Sequence, residues 1–201
     1  MSRTTACCML AATLFTLAAC AIAPPARDIA AYDFGPTTPA ETGKTIAVNV
    51  TVADITAPAW MDSPSIHYRL AYADASRPLP YANSRWIMSP AALLTQRLRA
   101  SLRQSSKADI STPADGVRSE YLLRMDLEEF SQVFDTPEKS RGVLRLQARL
   151  LRGGEVVASR GFSIEQPAPS ANAEGGVRSL SAAGDELGRR LAEWLAASAR
   201  K

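Results

Sequence analysis

The chain has 201 residues, of which 46% are hydrophobic and 21% charged, and its net charge is +3 at pH 7. Its length and apolar content suffice for one folded domain with a proper core. The 23 basic and 20 acidic residues are interspersed, so the charge balance does not favour a nucleic-acid partner. No cysteine follows Cys20, so we expect no disulfide, and the core alone must stabilise the fold.

Residues 1–19 have the layout of a secretory signal peptide. Arg3 provides a short basic start, and the uncharged apolar run that follows is shorter than the roughly 20 residues of a transmembrane helix. The run ends in LAAC at 17–20, which resembles the bacterial lipobox, the motif whose cysteine is lipidated and becomes the first residue of the mature protein. We therefore predict covalent diacylglyceryl and acyl groups on Cys20.

Cysteine suits this role because its thiolate is a strong nucleophile, and two or more acyl chains hold a protein on a bilayer stably. In bacteria with two membranes, an aspartate after the lipidated cysteine commonly retains the protein on the inner membrane, but Ala21 stands there. The predicted location is therefore periplasmic, anchored to the inner leaflet of the outer membrane. The alternative is an ordinary cleaved signal with an unrelated cysteine nearby.

Residues 20–44 are rich in Pro, Ala, Thr and Gly, with Tyr32 and Phe34 as the only bulky anchors. This composition predicts a lipidated N-terminus followed by a flexible tether, with an end-to-end distance of about 25–30 Å. The periplasmic domain is expected to occupy residues 45–201.

The first half of this domain predicts two strands and a helix. Alternating apolar residues mark strands at 46–52 and 66–72, and the polar and proline-rich residues 73–84 that follow them are interpreted as a turn region. Ser89 and Pro90 suit the cap and first turn of a helix. The helix after them places leucines on one stripe and three arginines on its outer face: Arg97, Arg99 and Arg103.

The second half predicts an antiparallel meander followed by a long helix. Three alternating segments begin near residues 121, 142 and 155, and Gly153-Gly154 suits the tight turn between the last two. The helix at 177–199 presents an apolar face: Leu180, Gly184, Leu187, Leu191, Trp194 and Leu195. The order of elements predicts an α+β fold, a single mixed or antiparallel sheet with two amphipathic helices on one face.

Three stretches carry a family resemblance: PAWMDSPSIHY at 58–68, YANSRW at 81–86 and the closing helix with Trp194-Leu195. In order and spacing they resemble the ABC-type transport auxiliary lipoprotein family, the PqiC-like membrane-integrity lipoproteins. The resemblance implies a subunit of a lipid-transport system that maintains outer-membrane integrity. Its implied partners are an MCE-domain protein that spans the periplasm and the membrane complex of that protein, and self-association stays open.

Aromatic residues and methionine are enriched at protein interfaces. Trp60, Met61, Tyr81 and Trp86 are therefore candidate partner-binding residues, although each could instead belong to the core. A competing function is that of a lipid carrier, which would hold its lipid between sheet and helices.

The residue pattern does not favour an enzyme. His67 is the only histidine, whereas general-base catalysis or zinc binding needs partners at defined spacing. The chain has no G-x-S-x-G, H-E-x-x-H or glycine-rich phosphate loop. The adjacent side chains of Glu128 and Glu129 should point to opposite sides of a strand, so they cannot act as a paired acid and base; we interpret them as solvated or edge-strand charges. We expect no catalytic residue, no metal and no cofactor beyond the acyl groups on Cys20.

Overall fold

The computed structural model describes residues 28–36 and 45–199. Its strands are, in chain order, β1 (Ala30–Tyr32), β2 (Val50–Val52), β3 (Ser65–Leu70), β4 (Asp74–Trp86), β5 (Ile110–Ser111), β6 (Tyr121–Phe134), β7 (Ser140–Arg152) and β8 (Glu155–Pro167). The two helices are α1 (Pro90–Gln104) and α2 (Ala173–Ser198). The eight strands form one mixed sheet, and the helices pack on each other and on one face of that sheet. This arrangement confirms the predicted α+β class.

Strand β6 organises the sheet because it pairs along both of its edges. One edge pairs antiparallel with β7, which pairs in the same way with β8. The other edge is divided, since residues 121–123 pair in parallel with β2 and residues 132–134 pair in parallel with β3. Beyond these, β5 extends the sheet from β2, whereas β4 and then β1 extend it from β3. Strands β1 and β8 therefore lie at opposite edges.

The predicted meander β6–β7–β8 is confirmed. Gly153 and Gly154 form the turn between β7 and β8 with φ of +61° and +90°, values that favour glycine over any residue with a side chain. The alternation of β7 turns one set of side chains to the helices, and all of them are buried: Leu144, Leu146, Ala148 and Leu150.

Glycine allows α2 to lie close to the sheet. A Cβ atom added to Gly142 of β7 would lie 2.6–2.9 Å from atoms of Ser179 and Leu180, which is closer than real contacts allow. The apolar face of α2 is buried as predicted, and the predicted leucine stripe of α1 is buried with it: Leu94, Leu98 and Leu102.

The predicted turn region at 73–84 was wrong, because these residues lie in β4, which pairs antiparallel with β3. Prolines are tolerated at the edge of a sheet, where no partner needs their missing N–H. Pro78 and Pro80 lie in the part of β4 that β1 does not reach, since β1 pairs only with residues 84–86. The pattern was misread because a proline-rich segment usually excludes a strand.

The long helix begins four residues before the predicted start. Asn172 caps it, because its side-chain oxygen accepts a hydrogen bond of 2.9 Å from the backbone N–H of Gly175. The glycines at 175 and 176 suggested a loop, but they belong to the first turn of α2.

Candidate functional site

The structure divides the four predicted partner-binding residues into two that are buried and two that are partly exposed. Met61 is completely buried and Trp86 is 1% exposed, so neither side chain is available at the surface. Trp60 and Tyr81 are partly exposed. The predicted lipidation site Cys20 lies outside the described residues.

Trp60 lies at the surface above two side chains of β3. Its ring meets the His67 ring edge-on with centroids 5.1 Å apart, and the Arg69 guanidinium lies 5.3 Å from the centre of the Trp60 ring. Trp60 belongs to a short 3₁₀ helix, Ala59–Met61. The position of this helix is fixed because its last residue, Met61, is completely buried in the core. The result is a partly exposed tryptophan held in one orientation by a cation–π contact.

Glu129 anchors Arg69 from the neighbouring strand. The two side chains form a two-point ion pair, with Nη2–Oε2 at 3.0 Å and Nε–Oε1 at 3.3 Å. We expected Glu128 and Glu129 to be solvated or edge-strand charges; Glu129 is only 8% exposed, so the solvated alternative was wrong for it. A bulge in β6 between Leu127 and Glu129 shifts the register there, and a sequence pattern does not reveal such an insertion.

His67 fits a structural role. It is 8% exposed, and its Nδ1 has no hydrogen-bond partner in the described part of the chain. Burial holds the pKa of His67 below its ordinary value, with nearby Glu129 raising it and Arg69 lowering it. The imidazole therefore provides a neutral ring against which Trp60 packs, and it is the only histidine of the chain.

Tyr81 belongs to a different surface from Trp60. Its ring packs against that of Tyr68 at a tilt of 42°, with centroids 4.6 Å apart, and its hydroxyl donates a 2.8 Å hydrogen bond to Gln132 Oε1. Burial, with a smaller contribution from Tyr68, raises the pKa of the Tyr81 hydroxyl. Because His67 and Tyr68 are consecutive in β3, their side chains lie on opposite faces, and so do the aromatic rings that they contact.

The N-terminal strap, residues 28–36, is the feature that the sequence reasoning missed. These residues lie within the segment predicted to be a flexible tether, yet β1 pairs with β4 and Phe34 is inserted in the core. The ring of Phe34 contacts Trp86 and Phe130 at centroid distances of 5.4 and 5.8 Å. The sequence did contain a signal for this strap: Tyr32 and Phe34 are two bulky aromatic residues in a segment of otherwise small or polar residues.

Arg97 of α1 holds the strap from the helix side. Its guanidinium donates hydrogen bonds to the carbonyl oxygens of Phe34 at 2.6 Å and Gly35 at 3.3 Å, and its Nε lies 3.1 Å from Asp185 Oδ1. Arg97 is 6% exposed, so the predicted outward position was wrong. The carbonyl groups and the carboxylate compensate for the burial of this charge.

The space between sheet and helices is filled. The inward leucines have no exposed surface, so no void as large as a water molecule borders them: Leu94, Leu98, Leu144, Leu146, Leu187 and Leu191. The described part has grooves at its surface, and one of about 580 Å³ runs between the strap and α2. This packing does not favour a lipid carrier of the kind considered from the sequence.

Two further observations bear on chemistry and membrane insertion. Among the described residues, no group of three or more His, Cys, Asp and Glu side chains could hold a metal ion. The helices at 90–104 and 173–198 do not have the length and hydrophobicity to cross a membrane.

Two bacterial proteins of known structure are similar in fold to this chain. A Xanthomonas campestris protein of the DUF330 family has a TM-score of 0.71 and 22% identity, and the alignment covers 85% of this chain and 95% of that one. A hypothetical protein from Chlamydia trachomatis has a TM-score of 0.54 and 7% identity, with 76% and 97% covered. At these identities the likeness shows the fold alone. No curated protein matches the chain.

The family is established by the sequence model that matches residues 32–192, that of the ABC-type transport auxiliary lipoprotein component. The chain belongs to this family, as the resemblance predicted. The match begins inside the strap, which agrees with its position in the sheet. A transport auxiliary component points to a non-catalytic role, and a lipoprotein family fits a periplasmic protein held by a lipid anchor.

Proposed function

We propose that the protein is a lipid-anchored periplasmic accessory subunit of an MCE/ABC-type lipid-transport system and helps maintain outer-membrane integrity. It acts by docking to the component that spans the periplasm. The match to the transport auxiliary family over residues 32–192 carries this proposal. The filled core favours docking over the alternative function, that of a periplasmic lipid carrier.

The anchor is Cys20, attached to the inner leaflet of the outer membrane. Cells fed labelled palmitate should yield a labelled protein, and Cys20→Ser should abolish the label because serine lacks the thiolate nucleophile. Cys7→Ser and Cys8→Ser are matched controls, since both cysteines precede the proposed cleavage point and should leave the label unchanged. Undiminished labelling of Cys20→Ser would refute the anchor.

The docking surface is centred on Trp60. Tryptophan and arginine are the residue types that most often dominate binding energy, and here Arg69 lies against the Trp60 ring with Glu129 fixing it from the other side. Met61 contributes indirectly by holding the turn in place. The partner is an MCE-domain protein, and its gene is expected beside this one together with genes for a permease and an ATPase.

Docking can be measured with purified components. Trp60→Ala should weaken binding to the MCE-domain protein at least tenfold, because a central aromatic anchor is typically worth more than about 1.4 kcal/mol. Tyr72→Ala is a suitable control, since Tyr72 is also an exposed aromatic residue, 50% accessible, beyond the end of β3. If Trp60→Ala binds with the same affinity as the unsubstituted protein, the docking surface does not include Trp60.

Native mass spectrometry separates docking from lipid carriage. The Cys20→Ser protein should have the mass of the bare chain, because its core has no room for acyl chains. A phospholipid retained at about one per chain would support the carrier instead.

A further inference from the structure

Strand β1 is where the described domain meets the segment that leads back to Cys20. Two large apolar side chains are exposed beside this strand, Ile29 at 46% and Ile87 at 54%. The other exposed large hydrophobic residues of the described part lie elsewhere: Tyr72, Val117, Val156 and Val157.

The two isoleucines lie at the same edge of the sheet, that of β1. Tyr32 and Phe34 turn towards the core, so the alternate residues Ile29 and Ala31 turn away from it. Ile87 follows the buried Trp86, and its N–H donates a 2.9 Å hydrogen bond to the Tyr32 carbonyl, which extends the pairing of β1 and β4 by one residue. Ile29, Ala31 and Ile87 are all exposed at this edge, and Ala31 and Ile87 also border the groove between the strap and α2. These three residues are here named the β1 surface.

The length of the intervening chain keeps the β1 surface near the anchor. Nine peptide steps separate Cys20 from Ile29. They span at most about 30 Å when extended and about 15–18 Å as a flexible coil. Strand β8 lies at the opposite edge, five strand spacings or about 24 Å farther away. Of the two edges, the one that carries Ile29 and Ile87 is therefore the one kept close to the bilayer.

We propose that the β1 surface rests on the bilayer that holds lipidated Cys20, so that the protein has a second, non-covalent membrane contact. The proposal depends on the proposed lipidation. The contact is apolar rather than electrostatic, because the exposed charges beside it are of both signs: Arg85 in β4, and Asp28 and Asp33 in the strap. Isoleucine side chains enter the boundary between headgroups and acyl chains, as the apolar residues of peripheral proteins do.

A single fluorescent probe tests this contact. The mature chain has no cysteine except Cys20, whose thiol is consumed by lipidation, so an introduced cysteine is the only free thiol. Ile29→Cys and Ile87→Cys, each labelled with an environment-sensitive dye, are compared with Val157→Cys, a matched control that is 50% exposed on β8. The lipidated protein is incorporated into phosphatidylcholine vesicles that contain nitroxide-labelled lipid.

Probes at positions 29 and 87 should show blue-shifted emission and at least twofold quenching, unchanged by 0.5 M salt, whereas the probe at 157 should behave as in water. Vesicle flotation in the same samples reports the anchor. If the protein floats with the vesicles but all three probes emit as they do in water, the second contact is refuted and the anchor is not. Protein that does not float overturns the anchor and this inference together. Equal quenching at all three positions overturns the orientation.

Discussion

Phe34→Ala tests whether the N-terminal strap is an integral part of the domain. The ring is 8% exposed and is packed edge-on against Trp86 at 5.4 Å and near Phe130 at 5.8 Å. Truncation of a buried phenylalanine to alanine typically costs 3–5 kcal/mol. We expect about 3 kcal/mol, the lower end, because a surface groove adjoins Phe34 and the three-residue β1 can detach instead of leaving a cavity.

The measurement is equilibrium urea unfolding of the Cys20→Ser protein with and without Phe34→Ala. A loss of about 3 kcal/mol corresponds to a fall in Tm of roughly 10 °C for a domain of this size. Ile29→Ala is the matched control, because Ile29 precedes the same strand but is 46% exposed, and its effect should stay within about 0.5 kcal/mol. If Phe34→Ala costs less than about 1 kcal/mol, the strap does not contribute to the stability of the domain.

Three further predictions concern buried groups. Arg97→Met should lower the free energy of unfolding in urea by about 2–4 kcal/mol at pH 7, because it leaves Asp185 unpaired. Burial already raises the pKa of Asp185, so this carboxylate becomes protonated and the loss of stability should shrink as the pH falls towards 4. An equal loss at both pH values would contradict this reasoning. Burial lowers the pKa of His67, so the neutral imidazole contributes fully to stability above about pH 6.5, and this contribution is lost as the pH falls through the pKa of His67 in the folded state. An NMR titration of His67, the only histidine of the chain, should have its midpoint below 6.5. Gly142→Ala should destabilise the protein by about 2 kcal/mol in the same unfolding assay, since its Cβ would collide with the backbone of α2, whereas Gly161→Ala in β8 meets only the tip of a glutamine side chain and should be nearly neutral.

Local pattern was sufficient for the elements whose burial follows a regular period. The strands of the meander, the leucine stripe of α1 and the apolar face of α2 could all be predicted, because period 2 and period 3.6 are visible in the sequence itself. The α+β arrangement followed from the order of these elements. Ser89 begins α1 as expected, although its side chain makes no capping hydrogen bond.

The remaining features depend on residues far apart in the chain. Strand β4 contains prolines and forms a strand by pairing with β3. Phe34 is buried against Trp86 and Phe130, which lie far from it in the sequence. Arg97 looked like a surface arginine because the groups that it contacts belong to the strap and to α2. For the candidate site, the aromatic residue types were recognised, but only the structure distinguished the surface position of Trp60 from the buried positions of Met61 and Trp86.

The divided edge of β6 has a consequence for folding as the chain emerges during synthesis, with its N-terminal end first. Strand β2 pairs with residues 121–123 and β3 with residues 132–134, so neither can complete its pairing until β6 has also emerged. The meander β6–β7–β8 contains only short-range hairpin connections and can form early, because local contacts cost less loop-closure entropy. Strands β2 and β3 can pair with β5 and β4 before then, but their other edges stay unpaired until β6 has emerged.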